Sequence, residues 1–156
     1  MKKILTLVLA FTFFSQAHAQ INDHAIGIRF GFGGGISYQQ KMSKTNRLEL
    51  NGSANFYNGY SAFRLTGVYQ WVWDMNKGFS FYAGPALSTG TMSLGDNYNG
   101  KGKNGFFVSG GGQVGLDYNF DGLPLQFSVD VMPLFPIINN VDDFYLDPAL
   151  GVRFVF

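Results

Sequence analysis

From residue 23 onward, apolar and polar positions alternate with a period of two, and clusters of glycine, asparagine, aspartate and serine interrupt the alternation. That period belongs to strands with one face in an apolar medium. Eight such segments follow one another. The first, about 24–32, sets Ile26, Ile28, Phe30 and Phe32 against Gly27, Arg29 and Gly31; the second, about 34–41, sets Ile36 and Tyr38 against Ser37, Gln39 and Lys41. The third, about 47–56, sets Leu48, Leu50, Ala54 and Phe56 against Glu49, Asn51, Ser53 and Asn55. The fourth, about 63–73, sets Phe63, Leu65, Tyr69, Trp71 and Trp73 against Arg64, Thr66 and Gln70. The fifth, about 79–90, sets Phe79, Phe81, Ala83 and Leu87 against Ser80, Tyr82, Gly84 and Ser88. The sixth, about 107–120, sets Val108, Val114, Leu116, Tyr118 and Phe120 against Ser109, Gln113, Asp117 and Asn119. The seventh, about 124–135, sets Leu125, Phe127, Val129 and Val131 against Gln126, Ser128 and Asp130. The eighth, about 145–156, sets Leu146, Leu150, Val152, Phe154 and Phe156 against Asp147, Ala149, Gly151 and Arg153.

Segments of this length suit the ~9–11 residues with which a tilted strand crosses hydrocarbon. Compact turns follow strands 2, 4 and 6, at Ser43–Asn46, Asp74–Gly78 and Asp121–Gly122; their residues tolerate tight backbone geometry. The connections after strands 3, 5 and 7 include longer ones, above all 91–106, whereas the first, near Gly33–Gly34, is very short. Short turns on one side and longer loops on the other are the pattern of transmembrane barrels, as is an even strand number. Aromatics gather near strand ends: Trp71, Trp73, Phe79, Phe81, Phe120, Phe154 and Phe156 at the short-turn side, and Phe32, Phe56, Phe63, Phe106 and Phe107 at the other. Two such girdles mark the edges of a membrane-embedded barrel.

Prolines disturb the rhythm. Pro133 and Pro136 predict an early end to strand 7, and Pro85 and Pro148 predict local bulges, because each removes a ladder hydrogen bond. Gly110 and Gly112 fall on the apolar face without a side chain, which suits a sharp bend.

The composition agrees with strands in lipid. Charged residues are only 13% and aromatics 17%, with 17 Phe, 8 Tyr and 21 Gly. After the first segment of the chain, no stretch approaches the ~20 apolar residues of a membrane helix. That first segment reads as a secretory signal: Lys2 and Lys3, an apolar run from Ile4 to Phe14, and the small-residue pattern Ala17-His18-Ala19. Cleavage after residue 19 leaves 137 of the 156 residues, one barrel domain over 20–156, with 9 basic and 10 acidic side chains. There is no basic run for nucleic acid. There is no cysteine for a disulfide or thiolate metal site.

The inward face carries Arg29, Arg64 and Arg153 with Glu49, Asp117 and Asp130. An eight-stranded barrel is just wide enough for side chains to fill it, and a buried charge must be paired. The expectation is a lumen plugged by arginine–carboxylate pairs together with Asn51, Gln70, Tyr82 and Gln113. Catalytic chemistry is not expected. His24 is the one histidine after residue 19 and lies at the entrance to strand 1, a poor place for a base. Asp142, Asp143 and Asp147 could hold a hard cation near an outer loop, but acidic loop residues are usually just solvated. The glycine triplets 33–35 and 110–112 open no helix, so they cradle no phosphate. No metal and no cofactor is expected.

The signal, the eight amphipathic segments and the terminal Leu150, Val152, Phe154 and Phe156 together resemble the small OmpA/OmpX-like outer-membrane barrels. The resemblance implies an all-β, eight-stranded antiparallel up-and-down transmembrane β-barrel in the outer membrane of a two-membrane bacterium. It further implies a non-enzymatic role in envelope structure or surface interaction, and insertion by the barrel assembly machinery, which reads that last strand as its signal. The partners implied are outer-membrane lipid and that machinery, with a surface ligand met through Tyr98, Lys101 and Lys103 in the longest loop. Closure removes sheet edges, so a monomer suffices. Neither a periplasmic peptidoglycan-binding domain of the OmpA kind nor long protruding outer strands of the OmpX kind are expected. The competing architecture is a secreted lipocalin-like barrel with an apolar ligand inside, which requires the apolar face to point inward.

Overall fold

The computed structural model describes residues 23–57, 60–94, 104–138 and 144–156. Eight antiparallel strands form one closed barrel in sequence order: β1 (His24–Phe30), β2 (Gly34–Lys41), β3 (Asn46–Tyr57), β4 (Tyr60–Asp74), β5 (Phe79–Leu94), β6 (Gly105–Asn119), β7 (Leu125–Ile138) and β8 (Tyr145–Val155). β1 closes the barrel against β8 from Ala25–Val155 to Phe30–Leu150. Hydrogen-bonded neighbours can be followed around the wall from Ala25 through Gln39, Glu49, Val68, Ala86, Gly111 and Leu134 to Tyr145. The path starts at the turn end of β1 and finishes at the loop end of β8. This stagger tilts the strands against the barrel axis, as closure demands.

The period-two pattern decides which side faces out. Ile36 and Phe56 are 66% exposed and Leu65 is 57% exposed, while their neighbours Ser37 and Thr66 are buried. The apolar set therefore lies on the outer surface and the charged set in the lumen, the inverse of an apolar ligand cavity. The inner face also explains many of the glycines. At Gly27 an added Cβ would lie 2.0 Å from the Val152 carbonyl oxygen, and at Gly84 1.7 Å from that of Tyr69. At the outward Gly52 and Gly67 the nearest atoms would be 3.9 and 3.7 Å away. The inner wall of so narrow a barrel brings neighbouring backbones too close for side chains at these points. The turn after β4 uses left-handed backbone at Asn76, Lys77 and Gly78 (φ 70, 55 and 82). The Asp74 carboxylate accepts the Asn76 N–H at 2.8 Å there.

Several expectations need correction. β7 does not end at Pro133; it runs to Ile138. Pro136 sits beside a bulge where the β6–β7 register shifts between Val108 and Ser109, and it lies beyond the last β7–β8 pair, Leu134–Tyr145, so its missing N–H breaks no ladder bond to β8. Pro85 and Pro148 make no bulge, since the β4–β5 and β7–β8 registers are the same on either side of them. Pro148 also lies beyond the last β1–β8 pair, Phe30–Leu150. Phe107 belongs to no outer girdle: it is 7% exposed and packs inside against Ala62 and Met92. Long strands are present after all. β4, β5 and β6 have 15, 16 and 15 residues, beyond the ~9–11 needed to cross hydrocarbon. β1 and β2 have only 7 and 8. The rim at the loop end is therefore lopsided.

Candidate functional site

The inward side chains form a column of ion pairs along the lumen. At the turn end, Arg47 Nη2 lies 2.6 Å from Asp117 Oδ2, and its guanidinium stacks 4.6 Å from the centre of the Tyr82 ring. The Arg47 Nε–H donates to Gln70 Oε1. The Asp117 oxygens have no aligned hydrogen bond, so this pair is held by charge and not by fork geometry. Next comes Glu49, fully buried, whose two oxygens accept from Gln39 (2.6 Å), Asn51 (2.9 Å), Gln70 (2.9 Å) and Arg153 Nη2 (3.1 Å). Four donors on one carboxylate offset what burial takes from its hydration. Arg153 is also fully buried and reaches three other side chains: Ser37 Oγ at 2.9 Å, Ser128 Oγ at 2.7 Å and Gln126 Oε1 at 3.5 Å.

Higher in the lumen, Arg29 bridges two acids, Asp130 at 2.6 Å and Asp147 at 3.2 Å. Tyr82 OH donates to the other Asp130 oxygen at 3.3 Å. Asp147 in turn accepts the Phe32 N–H at 2.7 Å and lies 3.5 Å from Arg64. The Arg64 guanidinium sits over Tyr145 (4.5 Å) and Phe32 (5.2 Å), which places an aromatic and cationic cap at the loop end. Beside the column, Val68, Ala86, Met132 and Leu134 make a small apolar cluster. A vestibule of about 520 Å³ opens at the turn end between Lys41, Lys44, Lys77 and Asp121, with Arg47 and Asp117 lining it deeper in. Beyond that vestibule lie Arg153, Tyr82, Met132 and Leu134, the largest fully buried side chains.

Arg29, Glu49, Asn51, Arg64, Gln70, Tyr82, Gln113, Asp117, Asp130 and Arg153 thus all point into one lumen and interlock. Two charged residues join the lumen charges: Arg47, assigned to neither face from sequence, and Asp147, assigned from sequence to the inner face of the eighth segment but not to the ion pairs. With them, four arginines face four carboxylates. The period itself could have found Arg47, which lies two residues before inward Glu49 on β3. Asp147 is not available to a cation, because Arg29, Arg64 and the Phe32 N–H already occupy its oxygens; Asp142 and Asp143 lie outside the described residues, as do Tyr98, Lys101 and Lys103. So does the segment read as a signal. His24 is on the outer surface at the turn end, bonded to Tyr38 OH at 2.8 Å and stacked between Tyr38 and Phe156. Leu150, Val152 and Phe156 point outward (49%, 42% and 58% exposed), and the Phe154 and Phe156 rings stack 6.2 Å apart.

No protein-family model matches the chain, and no curated protein does. Among solved structures, Neisserial surface protein A (NspA) is similar at 16% identity and a TM-score of 0.61, over 85% of this chain and 93% of that one. Ail, the attachment invasion locus protein of Yersinia pestis, is 14% identical over 85% of this chain and 93% of its own, with a TM-score of 0.47. CarO2 of Acinetobacter baumannii is 13% identical over 88% and 100%, with a TM-score of 0.45. The likeness to NspA is one of fold. In fold, the chain is a closed eight-stranded antiparallel barrel.

Proposed function

We propose that this chain is a non-enzymatic, integral outer-membrane barrel with a structural or surface-interaction role, its lumen plugged by the arginine–carboxylate column. The observation that carries this is the polarity of the wall: Ile28, Leu50, Leu65, Val129 and Leu150 stand exposed on the outside while Glu49 and Arg153 are fully buried within. Water would not stabilise that arrangement, and hydrocarbon would. The strand ending in Leu150, Val152, Phe154 and Phe156 serves as the signal for the assembly machinery. The connection carrying Tyr98, Lys101 and Lys103 serves as the contact surface for a partner outside. The barrel works as a monomer.

The test is gel mobility of the membrane fraction with and without boiling. The expected outcome is extraction by detergent only, with a band that shifts on boiling. A soluble periplasmic protein with no shift overturns the lipid-facing assignment. Planar-bilayer recording checks the plug: steady large conductance would rule it out.

A further inference from the structure

Two ladders of the barrel lapse. Between β4 and β5, pairing stops at Tyr69 and Gln70, opposite Pro85 and Gly84, and resumes at Trp71–Ala83 in the same register. Between β6 and β7 it stops at Gly112 and Gln113, opposite Pro133 and Met132, and resumes at Val114–Val131. Each lapse contains a proline, which has no N–H to give. In hydrocarbon no water replaces the lost bond. Both lapses flank the same hairpin, β5–β6, whose own ladder is continuous from Phe79–Tyr118 to Met92–Gly105.

Inside the lumen a side-chain bond spans the first lapse. Gln70 Nε2 donates to Gln113 Oε1 at 2.6 Å, tying β4 to β6 across the side-chain-free Gly84 of β5. Gln113 is buried and its own Nε2 has no partner, so this amide is held by that one bond. Behind the panel lies the apolar cluster of Val68, Ala86, Met132 and Leu134; Val68 and Ala86 pair directly beside the first lapse, and Met132 stands at the second. On the outer side Leu87 is 59% exposed, and Gly110 and Gly112 present no side chain. The panel therefore separates two apolar compartments; the other inward apolar cluster, Ala62, Met92 and Phe107, lies nearer the loop end, and the remaining lumen is polar or charged.

We propose that the β5–β6 hairpin is a lateral gate: it loosens at the Pro85 and Pro133 seams, is latched by Gln70–Gln113, and admits a lipid acyl chain to the Val68–Ala86–Met132–Leu134 cluster. The occupant is an acyl chain because hydrocarbon lies against this wall in the membrane placement proposed above, on which the inference rests. The cluster also offers no charge to a headgroup.

The experiment uses the full barrel in phosphatidylcholine nanodiscs doped with a phosphatidylcholine carrying a diazirine midway along one acyl chain. Outward Leu87 and Val131 are the control for the membrane placement; if they take no label, that placement fails and the gate with it. With the control labelled, the gate predicts additional label on inward Met132 and Leu134. Gln113→Leu should raise the inward share about fivefold, the effect of one neutral hydrogen bond on an opening equilibrium. The double variant Pro85→Ala/Pro133→Ala, which restores both donors, should lower it. Label confined to outward residues in all three proteins overturns the gate, and so does an inward share that neither variant moves. Should Gln113→Leu give no heat-shifted band, amide exchange of the wild-type barrel decides. Tyr69 and Gly112, whose N–H groups point into the two lapsed ladders, should exchange faster than Ile26 and Ile28 in β1, and equal rates sink the gate.

Discussion

The lumen is lined in two ways. On β1, β2, β3 and β8 it carries Arg29, Ser37, Gln39, Glu49, Asn51, Asp147 and Arg153, and the ladders joining these strands run without a gap. Midway up β4 to β7 it carries Val68, Ala86, Met132 and Leu134, and both proline lapses fall there. The difference follows from the directionality of the forces. An arginine–carboxylate pair at 2.6–3.2 Å needs both backbones fixed to a fraction of an ångström. Apolar contact has no preferred direction and survives small displacements. Prolines are therefore tolerated where the lining is apolar and are absent where it is ionic, apart from Pro148, which lies past the end of the β1–β8 ladder.

The largest effect should come from the ionic side. Glu49→Leu leaves Arg153 without its carboxylate and should cost about 3–5 kcal/mol, the usual penalty for an orphaned buried charge. Urea unfolding followed by the heat-dependent gel shift measures it. Adding Arg153→Met should recover part of the loss; a double variant as unstable as the sum of the singles would show that the two charges are not coupled. On the apolar side, Leu134→Ala should cost about 2–3 kcal/mol, toward the low end for a buried leucine, because the flexible Met132 beside it can move into the space. A larger loss than that of Glu49→Leu would break the contrast between the walls. Pro85→Ala should stabilise by about 1 kcal/mol through the regained ladder bond; destabilisation would mean that the lapse is required by the fold. Smallest of all, Gly52→Ala on the outer surface should change stability by no more than about 0.5 kcal/mol, since the new methyl meets only Ile36 at 3.9 Å.

Much of the wall was legible in the chain. A period of two assigns each residue to a face once one neighbour is known, and the outward aliphatics and inward Arg29, Glu49, Asp117 and Arg153 follow from it. Phe107 was misplaced although the same rule settles it: with Val108 outward, Phe106 must be outward and Phe107 inward. The prolines misled because a missing N–H was expected to displace the register, whereas at Pro85 and Pro133 the pairing simply lapses and resumes. What no periodicity reveals is which inward group meets which. Arg29 and Asp147 stand 118 positions apart and Arg153 and Glu49 104 apart. They meet only because the stagger of the closed barrel brings those heights together.

The closing seam has a kinetic consequence. His24 and Phe156 exchange both backbone hydrogen bonds, 3.1 and 2.9 Å, at the foot of the β1–β8 ladder. Until β8 reaches β1, the sheet has two free edges, and Arg153 is remote from Ser37 and Glu49. Bringing the two edge strands together carries the loop-closure entropy of nearly the whole chain, with no stable half-barrel as a stopping point. In the proposed membrane placement, two unpaired edges in hydrocarbon are too costly to persist. Folding should therefore be concerted, with the ion-pair column completed only as the last strand docks.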